Sequence, residues 1–153
     1  MSSQRNASLT RRELNAWRGL LGTQSALITR LDEELEREHG LPLTSYEVLL
    51  HLNEEPGHSL RMGELAERLF LSRSGLTRLI DRLTKAGLVE REVCESDRRG
   101  YYAALTSEGE RRFAEARPTH LRGVREHFLS KLEPEDLDAL GRAWERVGVV
   151  DDG

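Results

Sequence analysis

The chain has 153 residues, of which 37% are apolar and 33% are charged, a composition typical of one helix-rich soluble domain. Its apolar runs are too short to span a bilayer, and residues 1–10 lack the apolar core of a secretory signal. The single Cys94 excludes a disulfide framework and a cysteine-based zinc site. We therefore expect a cytoplasmic protein.

The formal net charge of −4 is distributed unevenly. Residues 61–106 carry nine Lys or Arg against seven Asp or Glu, which leaves −6 for the rest of the chain. Within residues 72–86 there are four bases and one acid, and 21 of the 23 bases of the chain are Arg. Arginine suits phosphate and base-edge contacts, although this excess by itself is weak evidence for nucleic-acid binding.

The first long helix is predicted to begin at the capping box Thr10-x-x-Glu13 and to end at Gly40 and Pro42. Apolar residues recur along it at steps of three and four, as in a coiled-coil seam: Leu14, Trp17, Leu21, Ile28, Leu31 and Leu35. A seam of this length exceeds what a small core covers, so we expect part of it to pack against another helix or another subunit.

A second, central helix is predicted to begin at a further capping box, Thr44-x-x-Glu47, and to close at residues 53–57. Two short amphipathic helices follow, joined by a tight turn, with apolar residues at positions 62, 65, 66 and 69 and at positions 76, 79, 80 and 83. Ser72 is placed to cap the second of them. Gly87 is placed to end it in a left-handed conformation.

Residues 88–94 and 101–105 lean towards β structure and are separated by a polar loop, which predicts a hairpin. Thr106 is expected to cap a fifth helix that reaches Leu132 with Pro118 inside it, and Pro134 to begin the last helix. The last helix has an apolar face of Leu137, Leu140, Trp144 and Val147. This order predicts a mainly α fold with a small β-hairpin wing, a winged helix-turn-helix.

The second helix of this motif has a polar face opposite its apolar stripe, on which Ser, Thr and Arg can hydrogen-bond base edges and phosphates. The predicted DNA-binding residues on it are Ser72, Arg73, Ser74, Thr77, Arg78 and Arg82. If the helix and its cap stood alone, a merely solvated amphipathic helix would be the better explanation of this face. Arg98 and Arg99 at the hairpin tip favour DNA because they can enter a minor groove, with Asp97 holding Arg99 in a bidentate pair.

In order and spacing these segments resemble the MarR family of bacterial transcription regulators. The motifs are Gly63-Glu-Leu-Ala-Glu-Arg-Leu69, S-x-S-x-x-T-R-L-I-D-R-L-x-x-x-G at 72–87, Leu88-Val-Glu-Arg91, D-x-R at 97–99 and Leu105-Thr106. The resemblance implies one domain at 1–153, with a winged lobe at 44–106 and dimerisation helices at 10–39 and 106–148. A homodimer would then hold two lobes over a pseudo-palindromic operator. Arg61 departs from the family, which commonly places a Ser or Thr cap there.

Relatives that sense peroxides carry a reactive cysteine near the first helix, where this chain has Ala16 and Trp17. Cys94 is expected to be inert, because nearby Glu92 and Glu95 oppose thiolate formation. No metal site is expected, although His120 and His127 lie two helical turns apart and some relatives sense zinc.

Relatives that respond to ligands bind small aromatic or phenolic anions in a cleft beside the winged lobe. Trp17, Tyr46 and His51 are the residues that could line such a pocket here, and each also fits a core or surface role.

The sequence therefore predicts a sequence-specific DNA-binding transcription regulator: a dimeric repressor relieved by a small aromatic or phenolic ligand. We expect no cofactor. We expect no enzyme activity either, since no motif places a nucleophile beside a base. The alternative is a winged-helix adaptor that binds protein instead of DNA, which the acidic ends of the chain would suit.

Overall fold

The computed structural model of the protein describes residues 8–93, 95 and 100–148. Its helices are α1 (Arg11–His39), α2 (Leu43–Glu54), α3 (Met62–Arg68), α4 (Arg73–Lys85), α5 (Ser107–His127) and α6 (Pro134–Val147). Its strands are β1 (Ser59–Arg61), β2 (Val89–Val93) and β3 (Tyr101–Leu105). The predicted mainly helical fold with a hairpin wing is confirmed. No helix within the described residues is long and apolar enough to cross a membrane.

Residues 32–122 form one compact unit, which contains α2, α3, α4 and the sheet. Leu49 and Leu52 of α2, Leu65 of α3 and Ile80 of α4 are fully buried in it. The apolar stripe predicted for α4 is confirmed, because Leu76, Leu79, Ile80 and Leu83 are all buried. Since this stripe packs inward, the opposite face of α4 is turned to solvent.

The three strands form an antiparallel sheet in the order β1-β3-β2. The hairpin of β2 and β3 was predicted, but β1 was not, since three residues carry too little pattern to be recognised as a strand. In the register of the sheet, Arg61 of β1 and Glu92 of β2 both stand opposite Tyr102 of β3. Because α3 begins directly after β1 and β1 pairs with β3, the start of α3 lies next to the hairpin that forms the wing.

Local capping signals fix several helix ends as predicted. The Thr10 N–H donates to Glu13 Oε2 at 2.7 Å, and the Glu13 N–H donates to Thr10 Oγ1 at 3.2 Å. At the end of α4, Gly87 has a φ of 75° and the Leu88 N–H donates to the Leu83 carbonyl at 3.0 Å, which is a Schellman cap.

Two predicted boundaries were wrong. α2 begins at Leu43, whose N–H donates to Asp32 Oδ1 at 2.8 Å. Thr44 therefore lies inside the helix and caps nothing, because a carboxylate from α1 already serves the first turn. α5 ends at His127 and is followed by a 3-10 turn at Leu129–Lys131, so Leu132 lies beyond the helix.

The chain before residue 32 and after residue 122 forms a second compact unit. Within it, the side chain of Asp136 accepts a hydrogen bond from the Glu133 N–H at 3.0 Å and so helps to begin α6 at Pro134. Trp17 on α1 is 53% exposed, Ile28 is 47% exposed and Val147 on α6 is 62% exposed. The seam on α1 and the apolar face of α6 are thus incompletely covered within one chain.

Candidate nucleic-acid interface

Helix α4 presents one continuous polar surface. Ser72 caps the helix as predicted, since its Oγ accepts a hydrogen bond from the Gly75 N–H at 3.1 Å. Along this surface all six residues singled out on the motif are exposed, namely Ser72, Arg73, Ser74, Thr77, Arg78 and Arg82. The structure thus places them together on the outward side of one helix.

The hydroxyls and guanidinium groups of α4 differ in what they can offer a ligand. Thr77 Oγ1 donates to the Arg73 carbonyl at 2.9 Å, so its proton is engaged and its lone pairs remain as acceptors. Ser74 Oγ lies 3.3 Å from Ser72 Oγ. Arg78 and Arg82 form no ion pair or hydrogen bond with their side chains among the residues that the structure describes.

The wing is attached to α4 by an ion pair. Arg91 on β2 donates a hydrogen bond to Asp81 on α4. The Asp81 carboxylate is therefore paired with the wing strand and not with Arg78 or Arg82 on its own helix. The hairpin-tip residues Asp97, Arg98 and Arg99 and the neighbouring Cys94 lie outside the described residues, so their predicted roles stay predictions.

A contact that the sequence did not indicate lies at the other edge of the sheet. The Nε of Arg61 donates to the hydroxyl of Tyr102 over 3.4 Å, and Cζ of Arg61 lies 5.8 Å from the centre of the Tyr102 ring. The one signal of this contact in the sequence is Arg61 itself, because an arginine at the N-cap of α3 makes no side-chain cap there.

The residues suggested for a ligand pocket fall in both units. Tyr46 on α2 is 1% exposed, and its ring packs against Phe113 and His120 with centroid distances of 5.4 and 4.5 Å. Burial raises the pKa of Tyr46 to about 12. His51 lies five residues further along α2, while Trp17 belongs to the other unit.

Two histidines of the winged unit are partly buried. Burial lowers the pKa of His51 and also that of His120. His120 Nδ1 is buried without a hydrogen-bond partner in the described structure. No group of three or more His, Cys, Asp or Glu within residues 8–93, 95 and 100–148 is arranged to hold a metal ion.

Comparison with known proteins identifies the fold. A sequence model of the MarR family matches residues 39–100. The transcriptional repressor MprA of Escherichia coli is 30% identical over 121 residues, which cover 78% of this chain and 68% of MprA. The chain belongs to the MarR family. Its α3 and α4 are the helix-turn-helix of that family, and its β2–β3 hairpin is the wing.

Two solved MarR-family structures from Streptomyces coelicolor superpose closely. AbsC is 40% identical, with a TM-score of 0.86, and the match covers 92% of this chain and 95% of AbsC. Sco3205, whose structure is a complex with DNA, is 38% identical with a TM-score of 0.86, and the match covers 92% of this chain and 89% of Sco3205. The resemblance inferred from the motifs is therefore confirmed.

Proposed function

We propose that this MarR-family protein is a dimeric, sequence-specific DNA-binding repressor whose α4 enters the major groove. The observation that carries the proposal is the outward face of α4, where Arg78 and Arg82 have no ionic partner among the described residues. Guanidinium groups without internal partners are matched to phosphate oxygens and to the O6 and N7 of guanine. The likeness to Sco3205, solved as a complex with DNA, supports it.

We assign the recognition of DNA bases and the binding of the DNA backbone to different residues. Arg78 and Ser74 face outward on α4 and are proposed to contact base edges, with Thr77 offering acceptor lone pairs to an amino group of adenine or cytosine. Arg73 and Arg82 are proposed to contact phosphates. Arg98 and Arg99 of the wing, with Asp97 as support, are proposed to enter the minor groove.

The proposed dimer follows from the uncovered apolar residues of α1 and α6. Trp17, Ile28 and Val147 are about half exposed in the single chain, which is costly for large apolar side chains grouped on long helices. A symmetric partner would cover the same residues on both copies. Two lobes would then meet half-sites roughly 34 Å apart on the operator.

We further propose that the protein represses transcription and that a small ligand relieves the repression. MprA, 30% identical, carries the name of a transcriptional repressor. We propose that a small aromatic or phenolic ligand binds near Tyr46 and His51, with Trp17 as a further candidate. Such a ligand must favour a dimer geometry that fits the operator less well, which typically lowers affinity by about 1–3 kcal/mol.

The decisive experiment is a fluorescence-anisotropy titration of the protein with the promoter DNA of its own gene and with a scrambled duplex, over a series of salt concentrations. Each phosphate contact should steepen the fall of log K with log salt by about 0.9. Arg78→Ala should lower the preference for promoter over scrambled DNA. Arg111→Ala is the matched control, because Arg111 is held by Glu108 and Glu115 on α5.

Equal, salt-independent and weak binding to both duplexes would contradict the proposal and favour the protein-binding adaptor. Arg99→Ala should weaken binding to all duplexes and flatten the salt dependence, while Cys94→Ser should change little. If the Arg99→Ala protein is folded by circular dichroism and binds the promoter as the wild type does, the wing does not touch DNA.

A further inference from the structure

Phe70 lies in the turn between α3 and α4 and is unusually placed for an aromatic residue. Its side chain is 80% exposed, more than any other large apolar side chain that the structure describes. Its backbone has a φ of 54°, in the left-handed region that residues other than Gly and Asn rarely adopt. The exposure of the ring to water and the backbone conformation therefore both oppose a phenylalanine here.

The turn needs a left-handed residue because α3 ends in a Schellman cap. The Phe70 N–H donates to the Glu67 carbonyl at 3.1 Å, and the Leu71 N–H donates to the Ala66 carbonyl at 3.0 Å. Phe70 thus occupies the position at which such helices usually end in Gly. The same chain places a left-handed glycine at the ends of α1, α4 and α6, namely Gly40, Gly87 and Gly148. At the end of α3 it carries an aromatic ring instead.

Phe70 is also close to the part of α4 that we propose to enter the major groove. It precedes the cap residue Ser72 by two positions, so its Cα lies at most about 7.6 Å from that of Ser72. The first residues of a recognition helix commonly contact base edges. The exposed ring therefore lies beside the start of the polar surface of α4.

The residues near the ring favour DNA over a protein as its partner. Within residues 61–88, all of which the structure describes, Phe70 is the only large apolar side chain that is largely exposed. The core of a protein interface usually buries several apolar side chains together, whereas the exposed residues that follow Phe70 include Ser72, Arg73 and Ser74. The major groove presents one isolated apolar group, the C5-methyl of thymine, among the hydrogen-bonding groups of the bases. A single ring beside polar side chains matches that pattern.

We propose that Phe70 packs against the methyl group of one thymine in each half-site and so determines specificity at that position. The inference rests on the proposed DNA-binding function and names a recognition residue outside the polar face of α4. Contact with the methyl group removes ring surface from water, which is favourable. Cytosine at the same position lacks the methyl group and offers no such contact.

The test measures binding of the full-length protein to the promoter of its own gene and to duplexes in which one thymine at a time is replaced by deoxyuridine. Deoxyuridine pairs as thymine does and lacks only the methyl group. We expect one such replacement in either half-site to weaken binding of the wild type roughly fourfold, the factor expected from burying one methyl group. Phe70→Gly should bind this duplex and the unmodified promoter equally well.

Two further variants separate the ring from the backbone. Phe70→Asn keeps a side chain that tolerates the left-handed conformation, and it should lose the dependence on the methyl group as Phe70→Gly does. Both variants should unfold at the same urea concentration as wild type or a higher one, because the backbone strain is relieved. His58→Gly is the matched control. His58 also has a positive φ, of 55°, but lies before β1, so this variant should keep the dependence on the methyl group.

The inference is overturned if no deoxyuridine duplex binds the wild type more weakly than the promoter does, or if the dependence on the methyl group persists in Phe70→Gly and Phe70→Asn. A ring that serves a protein partner predicts wild-type affinity of Phe70→Gly for every duplex, which also overturns it. All of these results leave the DNA-binding function intact. Failure of the wild type to bind any duplex would instead overturn the proposed function.

Discussion

Arg91 on β2 donates a hydrogen bond to Asp81 on α4, with the nitrogen and oxygen 2.5 Å apart. The pair joins the strand that leads into the wing to the middle of the helix proposed to read DNA. Both side chains are more than one third exposed, so the contribution of this pair to the free energy of unfolding is small, on the order of 0–1 kcal/mol. We expect its main effect to be on the position of the wing relative to α4.

A double-mutant cycle of Asp81→Asn and Arg91→Gln should reveal this positioning role. Each single change should lower the ratio of promoter to scrambled affinity, and the coupling free energy in promoter binding should be about 0.5–1 kcal/mol. Urea denaturation of the same four proteins should show a smaller coupling. A cycle that shows equal coupling in unfolding and in binding would assign the pair to stability alone.

Signals that lie within one turn of helix could be predicted from the sequence. The Thr10–Glu13 box, the Ser72 cap and the Gly87 terminus each depend on residues three to five positions apart, and all three are confirmed. The local signal also produced an error, since Thr44-x-x-Glu47 has the spacing of a capping box. It fails because Asp32 already receives the first N–H of α2.

Contacts between distant segments could not be predicted. Asp32 and Leu43 are 11 residues apart, and Arg61 and Tyr102 are 41 apart. Neither pair leaves a periodic trace in the chain, because its members meet only after the chain has turned between α1 and α2 and after β1 has paired with β3. The polar face of α4 was predicted correctly because a helix carries its own periodicity.

Ile28→Asp should abolish the proposed dimer. Ile28 is half exposed in the single chain, so the change should leave the chain able to fold, but an unpaired carboxylate in the interface should cost about 3 kcal/mol per copy. Sedimentation velocity should give twice the chain mass for wild type and one chain mass for the variant. Asn15→Asp, which adds the same charge on the opposite side of α1, should remain dimeric.

Acid should destabilise the protein through its shielded histidines. Burial lowers the pKa of His120 and of His51 below the ordinary 6.5, so the unfolded chain binds more protons than the folded one below pH 6.5. Their contribution to stability is therefore complete above pH 6.5 and is lost as the pH falls below it. Urea denaturation at pH 7.5 and pH 5.5 measures this loss.

His120→Phe should reduce that loss. Phenylalanine keeps a ring against Tyr46 and Phe113, removes the buried Nδ1 that lacks a partner in the described structure, and cannot be protonated. We expect the free energy of unfolding to rise by about 1 kcal/mol at pH 7.5 and by more at pH 5.5. An unchanged difference between the two pH values would show that His120 does not contribute to the acid sensitivity.

Gly109→Ala should destabilise the winged unit. A Cβ at Gly109 would clash with the carbonyl oxygen of Leu88, which belongs to the backbone and cannot rotate away as a side chain could. We expect a loss of about 1–3 kcal/mol in the free energy of unfolding. Gly19→Ala on α1 is the control, since a Cβ added there would meet no described atom within 4 Å beyond its own stretch of helix, and alanine there should be neutral or stabilising by up to about 1 kcal/mol. Equal effects would contradict the close approach of α5 to Leu88.

The strand order β1-β3-β2 leaves β2 at the edge of the sheet, where unpaired backbone groups can recruit a strand from another molecule. Glu90, Arg91 and Glu92 occupy the middle of that strand and are all exposed. If two such edges paired, these charged side chains would lie beside like charges of the second copy and would lose hydration, and both effects oppose pairing. Aggregation through this edge of the sheet is therefore disfavoured, even at high protein concentration.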